Sequence, residues 1–324
     1  MNKIFALLLL PVCVVSAATE EKTAKTFNAS PGGNLVIDIG FGSIEVVASA
    51  DRTEVSVDAW RKITRWNSTD EESYLKENPI EFSQDGNTVI VRAPTHMTWS
   101  WFSGWHNRNE ARYVVRIPAN FNTTLKTSGG SIAVSGASGS VKVNTSGGAL
   151  HFANLHGPVD GHTSGGSVQA ADCDGELRLG TSGGRIEVTG GSGALSGNTS
   201  GGSITVKSFN GPVSVDTSGG GITIDNIQGK INGHTSGGSV HASLLAPIPG
   251  DVDLSTSGGS ITVTVAPDAK LNLDAETSGG GVDCDLPLTV QGKIGRSRVT
   301  GTVNGGGPSV RLHTSGGSIH VRKP

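Results

Sequence analysis

The tetrapeptide Thr-Ser-Gly-Gly occurs ten times in the last two-thirds of the chain. Six consecutive intervals between copies are 18 residues long, two are 21 and the last is 37. A fixed period means that one small unit stacks on copies of itself, and 18 residues are too few for a helical repeat but suit one coil of a β-solenoid. The copies begin at Thr127, Thr145, Thr163, Thr181, Thr199, Thr217, Thr235, Thr256, Thr277 and Thr314.

Apolar residues recur at fixed places in the repeat. Counting the threonine as position one, the first coil has Ile132 and Val134 at positions six and eight, and Val141 and Val143 at positions fifteen and seventeen. Each pair alternates with polar or small neighbours, which is the pattern of a strand with one buried face. We therefore predict an all-β, single-stranded β-solenoid (β-helix), expected to be right-handed, with about 18 residues and at least two strands per coil.

Position seventeen alternates between a large residue and glycine, as Val143, Gly161, Leu179 and Gly197 show. A large side chain above a small one is the ordinary way to fill a narrow core. The alternation suggests a superperiod of 36 residues, and on that basis the final interval of 37 would hold two coils and one extra residue.

The Thr-Ser-Gly-Gly copies are interpreted as structural corners rather than ligand sites. Two glycines before a strand allow backbone angles that other residues avoid. We expect the stacked Thr and Ser hydroxyls to bond each other along the solenoid axis. A calcium-binding glycine-rich repeat would need an aspartate at a fixed offset, and the coils do not supply one.

The first 18 residues have the features of a secretory signal peptide. Lys3 precedes an apolar run from Ile4 to Val15, and Ser16-Ala17-Ala18 supplies small residues for cleavage after Ala17 or Ala18. Cys13 follows a valine, whereas a lipoprotein signal places a small residue before its cysteine. The protein is therefore predicted to be exported, to the periplasm or the cell surface.

The part between the leader and the repeats is divided into two regions. Residues 19–33 are polar, contain Pro31-Gly32-Gly33 and are predicted to be a linker. Residues 34–126 are predicted to form an irregular β-rich cap on the solenoid of residues 127–324. A short helix is expected near 70–77, because Ser68 and Thr69 each precede a glutamate by three residues in capping-box spacing.

An aromatic segment at residues 95–110 differs in composition from the rest of the chain. Three of the five tryptophans fall within seven residues of each other. Such a segment between two strands is typical of a loop that contacts a protein, glycan or membrane interface. The alternative, left open here, is that the rings plug the end of the solenoid. The candidate contact residues are Trp99, Trp101, Phe102 and Trp105.

Composition gives no indication of a cofactor, a metal or nucleic acid. The formal charge is −3, or −4 once the leader and its lysine are removed, without a long run of one sign. The histidines are scattered among coils, which disfavours a metal site. Cys173 and Cys284 lie six repeats apart, too far for a disulfide. After the leader there is no apolar run long enough to span a membrane.

The whole mature sequence resembles the bacterial DUF4097 family, described as putative adhesins. The resemblance rests on Gly42 to Val46 (Gly-Ser-Ile-Glu-Val), Arg116-Ile117-Pro118, the Thr-Ser-Gly-Gly-Ser-Ile strands and Gly305-Gly306-Gly307 before the last copy. It implies a β-helix without established catalytic residues. It also implies an association with envelope-stress regulation.

Three functions are compatible with this sequence, and the one we predict is a non-enzymatic scaffold. Asp283 and Asp285 are the nearest approach to a catalytic carboxylate pair, and no acid, base and orienting group accompany them. We predict an adhesin-like protein, monomer or small oligomer, that binds an envelope glycan, peptidoglycan or an envelope protein. The alternatives are an envelope-stress regulatory accessory and a polysaccharide-active β-helix enzyme.

Overall fold

The computed structural model describes residues 18–65, 67–93, 108–290 and 295–324, and these residues form 29 strands and one helix, α1 (Ser68–Glu77). The strands are β1 Thr19–Asn28, β2 Asn34–Ile39, β3 Ser43–Ser49, β4 Glu54–Thr64, β5 Glu81–Asp85, β6 Thr88–Ala93, β7 Arg108–Pro118, β8 Asn122–Thr127, β9 Ile132–Ser135, β10 Val141–Thr145, β11 Leu150–Ala153, β12 Val159–Thr163, β13 Val168–Ala171, β14 Leu177–Thr181, β15 Ile186–Thr189, β16 Leu195–Thr199, β17 Ile204–Lys207, β18 Val213–Thr217, β19 Ile222–Asp225, β20 Ile231–Thr235, β21 Val240–Leu244, β22 Val252–Thr256, β23 Ile261–Val265, β24 Leu271–Thr277, β25 Val282–Cys284, β26 Leu288–Thr289, β27 Arg298–Val303, β28 Ser309–Thr314 and β29 Ile319–Arg322.

Two long sheets face each other across the core. Sheet A has 14 strands and sheet B has 15, and each coil of the repeat contributes one strand to each sheet. Neighbouring coils pair in parallel with an exact offset of one repeat, so that Val141 lies beside Val159 and Leu150 beside Val168. The inward residues of both sheets are buried along most of the length, and Val282 and Cys284 in β25 are partly buried. This confirms the predicted β-solenoid with two strands per coil.

Large and small side chains alternate in the core as the sequence indicates. Val143 lies beside Gly161, and Gly161 lies beside Leu179 in the next coil. The Phe152 ring occupies the space next to Gly161, where an added Cβ would lie 2.7 Å from the ring. A third buried column, which includes Cys173 and Phe209, lies in the turn between the two sheets.

The corner threonines are buried, and each bonds to the backbone of the adjacent coil. The Thr217 hydroxyl donates to the carbonyl oxygen of Gly202 at 2.8 Å and accepts from the amide of Gly220 at 3.3 Å. All ten threonines make the corresponding bond to a glycine carbonyl of a neighbouring coil. The expectation of hydroxyl-to-hydroxyl bonding was wrong, because a carbonyl with a free lone pair lies directly beside each threonine.

Replacing one corner threonine with valine should cost about 1–3 kcal/mol of unfolding free energy, the usual penalty for leaving buried backbone groups unpaired. Thr217→Val keeps the shape of the side chain but leaves the Gly202 carbonyl and the Gly220 amide without this partner. Thr217→Ser keeps the hydroxyl and is the control. Denaturant unfolding measures both, and a Thr217→Val protein as stable as the wild type would contradict this role.

The order of coils in space differs from the order in sequence at both ends. At the N-terminal end, β2 lies between β6 and β8, and β3 lies between β7 and β9. At the C-terminal end, β28 lies between β22 and β24, and β29 lies between β23 and β25. The 37-residue interval is therefore not two further coils: it holds β25 and the antiparallel strands β26 and β27, after which the chain returns into the stack.

Residues 19–28 form a strand and not the predicted linker. This strand, β1, pairs antiparallel with β4 along its whole length and is the edge of sheet A. The sequence analysis did not predict this strand because its residues are polar. The strand is held by pairing with β4 and by the bond between Glu21 and the buried Arg61. Helix α1 lies where the sequence predicts a helix, but its N-cap is Asn67, whose side chain accepts from the amide of Asp70 at 2.8 Å.

Candidate binding face at the N-terminal end

The predicted aromatic contact residues lie outside the described residues. Strand β6 ends at Ala93 and strand β7 begins at Arg108, so the segment that contains them runs from sheet B to sheet A. The predicted leader also lies outside the described residues, apart from Ala18. The residues concerned in the aromatic segment are Trp99, Trp101, Phe102 and Trp105.

A groove lies on the outer surface of sheet A at this end. It has a volume of about 690 Å³ and crosses β1, β4 and β7. The antiparallel register places Lys22, Trp60 and Arg112 in one cross-strand row. Asp58 and Val114 lie in the next row, so the groove has an aromatic centre with charged groups around it.

Trp60 is the residue of this groove that the sequence analysis missed. Its neighbours Ala59 and Arg61 point inward and are buried, so strand alternation places the indole outside, where it is partly exposed. The indole Nε1 donates to the Glu20 carboxylate at 3.3 Å. The alternation of β4 could have identified Trp60, because it is a large aromatic residue on the outward, otherwise polar side of this strand.

Two exposed ion pairs border the groove. Arg112 bonds to Glu45 at 2.6 Å, and Arg116 bonds to Asp58 at 2.7 Å. Exposed ion pairs of this kind contribute little to stability, about 0–1 kcal/mol each. The guanidinium and carboxylate groups can therefore exchange their present partners for polar groups of a ligand at small cost.

The groove lies near the start of β7. Arg112 is four residues from Arg108, the first residue of this strand. A strand advances about 3.3 Å per residue, so the separation along β7 is about 13 Å.

The carboxylate pair considered for catalysis is held in ion pairs. Arg322 lies 2.7 Å from Asp283 and 3.0 Å from Asp285, on the neighbouring strand β29. Hydrogen bonding to Asp283 is the largest cause of a raised pKa at Arg322. One guanidinium thus pairs with both carboxylates, which is the arrangement of a solvated ion-pair network.

The histidines and cysteines are distributed along the solenoid. His156 bonds to Asp174 and His162 to Asp160, each within its own part of the surface. Among the described residues, no three His, Cys, Asp or Glu side chains are grouped to hold a metal ion. Cys173 and Cys284 are free, and burial raises the pKa of both thiols.

Comparison with known proteins points to one family. The sequence profile described as Toastrack DUF4097 matches residues 34–322. No protein of curated function matches the chain. In the described residues no helix has the length and apolar character needed to cross a membrane.

Several solved structures are similar to this chain at low sequence identity. A putative cell adhesion protein from Clostridium sporogenes is 11% identical, with 95% of this chain and 100% of that chain covered and a TM-score of 0.27. A putative adhesin from Parabacteroides merdae is 10% identical, with 94% and 96% covered and a TM-score of 0.34. A putative lipid binding protein from Parabacteroides distasonis is 11% identical, with 92% and 96% covered and a TM-score of 0.31. Likenesses this remote transfer no ligand or activity.

Proposed function

This chain belongs to the Toastrack (DUF4097) family, and on that premise we propose that it is an exported, non-enzymatic β-solenoid that binds a glycan polymer of the bacterial envelope. The observation that supports the proposal is the groove around Trp60 at the N-terminal end of the solenoid. The solenoid is the rigid support, and the N-terminal end is the binding face.

The chemistry of the groove fits a sugar chain. A partly exposed indole offers an apolar face on which a sugar ring stacks, while its polar edge remains hydrogen-bonded. Lys22, Asp58 and Arg112 supply donors and acceptors beside it for ring hydroxyls. The groove runs across three strands, so it accommodates an extended chain better than a compact ligand.

The non-enzymatic part of the proposal is supported by the state of the charged groups. Asp283 and Asp285 both pair with Arg322, which leaves neither free as a general base. The groove carboxylate Asp58 pairs with Arg116. A glycosidase needs two carboxylates facing each other across a bond, and the lining residues of the groove contain one, Asp58.

The test is co-sedimentation of the mature protein with purified peptidoglycan and with envelope polysaccharide. Truncating a central tryptophan of a binding site typically costs about 2 kcal/mol, so Trp60→Ala should weaken binding roughly 30-fold. The triple variant Trp99→Ala, Trp101→Ala, Trp105→Ala tests the aromatic segment separately. Leu245→Ala, which removes an exposed apolar side chain on a distant coil, is the matched control.

The outcomes separate the candidate functions. Binding that is lost in Trp60→Ala and kept in Leu245→Ala supports glycan recognition at the groove. Equal binding by every variant moves the site to the faces of the coils. Stoichiometric capture of one membrane protein, without binding to polymer, would replace the adhesive function with that of a regulatory accessory.

A further inference from the structure

Two charged side chains are buried among the described residues, Arg61 and Glu71, and their surroundings differ. Arg61 has a counter-ion: its guanidinium bonds to the Glu21 carboxylate and to the Asn78 carbonyl. Glu71 lies in the first turn of α1, and its carboxylate forms no ion pair with a lysine or arginine side chain in the described part of the chain. A buried carboxylate that lacks a direct cationic partner is costly.

Glu71 is instead held by three neutral donors. Its Oε1 accepts from the amide of Arg65 at 2.9 Å, and its Oε2 accepts from the amide of Thr19 at 2.9 Å and the hydroxyl of Thr19 at 2.7 Å. Burial acts to raise the pKa of Glu71, but these hydrogen bonds and the nearby Arg65 charge outweigh it and hold the pKa below its usual value. Glu71 is therefore ionised at neutral pH.

Thr19 occupies a special position in the chain. It is the first residue of β1, where it pairs with Ile63, and it directly follows Ser16-Ala17-Ala18. Those small residues are the predicted cleavage region of the leader. The backbone nitrogen on Glu71 is thus the atom that becomes the terminal nitrogen if cleavage follows Ala18.

We propose that the leader is removed between Ala18 and Thr19 and that Glu71 binds the α-ammonium group created there. A leader peptidase adds water across the Ala18–Thr19 amide: the C–N bond breaks, the hydroxyl goes to the Ala18 carbonyl carbon and the other water proton to the Thr19 nitrogen. The new carboxylic acid then loses its proton to the amine, which leaves a carboxylate on Ala18 and an ammonium on Thr19. The amide hydrogen bond to Glu71 becomes a buried, charge-assisted ion pair. The inference rests on the export assumed above and is independent of the ligand.

The geometry distinguishes the two cleavage positions that the sequence leaves open. Cleavage after Ala18 places the new charge 2.9 Å from the carboxylate. Cleavage after Ala17 leaves an amide at that place and the ammonium one residue away. In the folded protein the Thr19 nitrogen is bonded to the buried Glu71 carboxylate, so the Ala18–Thr19 bond is more accessible to a peptidase before β1 docks.

The ion pair has a defined pH window. The α-amino pKa is raised in the folded state above its ordinary value of about 7.7–8.0, so its contribution to stability is present below that value and is lost as the pH rises through the folded pKa. The pKa of Glu71 is lowered, so its contribution is present above the ordinary glutamate value and is lost as the pH falls through the folded pKa. Stabilisation by the pair is greatest between these limits.

The experiment measures the reactivity of the terminal amine. A chain that begins at Thr19 is treated with N-hydroxysuccinimidyl acetate at pH 7, and acetylation of the N-terminal peptide is followed by mass spectrometry. Since one unit of pKa changes the fraction of free amine about tenfold, acetylation should be at least about tenfold slower in the wild type than in Glu71→Gln. Glu72→Gln, an exposed neighbour on the same helix, should react like the wild type.

Two further measurements keep the proposal testable if Glu71→Gln fails to fold. At pH 7 the free-amine chain that begins at Thr19 should unfold at a higher denaturant concentration than two comparison chains, one that retains Ala18 and one acetylated at Thr19 before folding. The difference in denaturant concentration should shrink at pH 10. N-terminal sequencing of the exported protein should begin at Thr19. Any one of three results would overturn the proposal. These are equal acetylation rates in wild type and Glu71→Gln, equal denaturant midpoints of the free-amine and comparison chains at pH 7, and an exported protein whose first residue is not Thr19. None of these readouts depends on polymer binding, so a failed binding test leaves them valid.

Discussion

Gly202→Ala should destabilise the protein by about 3 kcal/mol or more, at the upper end of the range for forced overpacking. Gly202 is the second glycine of its corner. A Cβ there would overlap the carbonyl oxygen of Gly184 and lie 2.8 Å from the amide nitrogen of Arg185. Both obstacles are backbone atoms of the adjacent coil, which neighbouring strands fix on both sides, so no side-chain rotation relieves the overlap.

The preceding residue, Gly201, provides the matched control. A Cβ at Gly201 would lie 3.7 Å from the carbonyl oxygens of Ser182 and Gly183, which is ordinary contact. Gly201→Ala should therefore change the unfolding free energy by less than about 1 kcal/mol. Guanidinium unfolding of the two variants measures the contrast, and similar midpoints would contradict the assigned role of the second glycine.

This contrast explains why the corner sequence repeats so strictly. The second glycine lets successive corners approach each other, and the threonine uses that approach to bond the glycine carbonyl of the neighbouring coil. The serine between them is exposed in every copy. Repetition thus follows from stacking geometry, which every coil shares, whereas a ligand site is needed only once.

The coiled part of the fold could be predicted because its information is local and repeated. Each strand of a coil pairs with the same strand of the next, so the columns that begin with Ile132 and Val141 already contain the register. The repeat period and the alternation of apolar and polar residues then determine which strands pair, and in which register, throughout the repeated coils. The same regularity predicted the alternating core residues at position seventeen.

The two ends could not be predicted in this way, because their pairing is non-local. Nothing near Ser309 indicates that β28 pairs with both β22 and β24. Strand β1 has a polar sequence, and its structure depends on β4 and on the buried Arg61. Trp60 was overlooked for a related reason: its place in a groove depends on β1 and β7, which are distant in sequence.

Deletion of residues 309–324 should disrupt more of the molecule than the coil that is removed. Strands β28 and β29 separate two coils of the stack. Their loss removes one of the two partners of β22, β23 and β24, and the one partner that β25 has among the described residues. The deletion also removes four fully buried apolar side chains, worth about 1.5–3 kcal/mol each as an upper estimate. These are Val310, Leu312, Ile319 and Val321.

The expected result is loss of protease resistance in residues 271–303, upstream of the deletion, while the central coils remain resistant. Limited proteolysis with mass spectrometry maps the cuts. Deletion of Lys323 and Pro324 alone, which are exposed, should leave the pattern unchanged. If residues 271–303 stayed resistant in the longer deletion, β24 would have closed directly onto β22, and the inserted coil would be dispensable. The insertion predicts the opposite: β28 and β29 follow the C-terminal cap in the sequence and join it to the solenoid, so the cap is complete only when these two strands have folded.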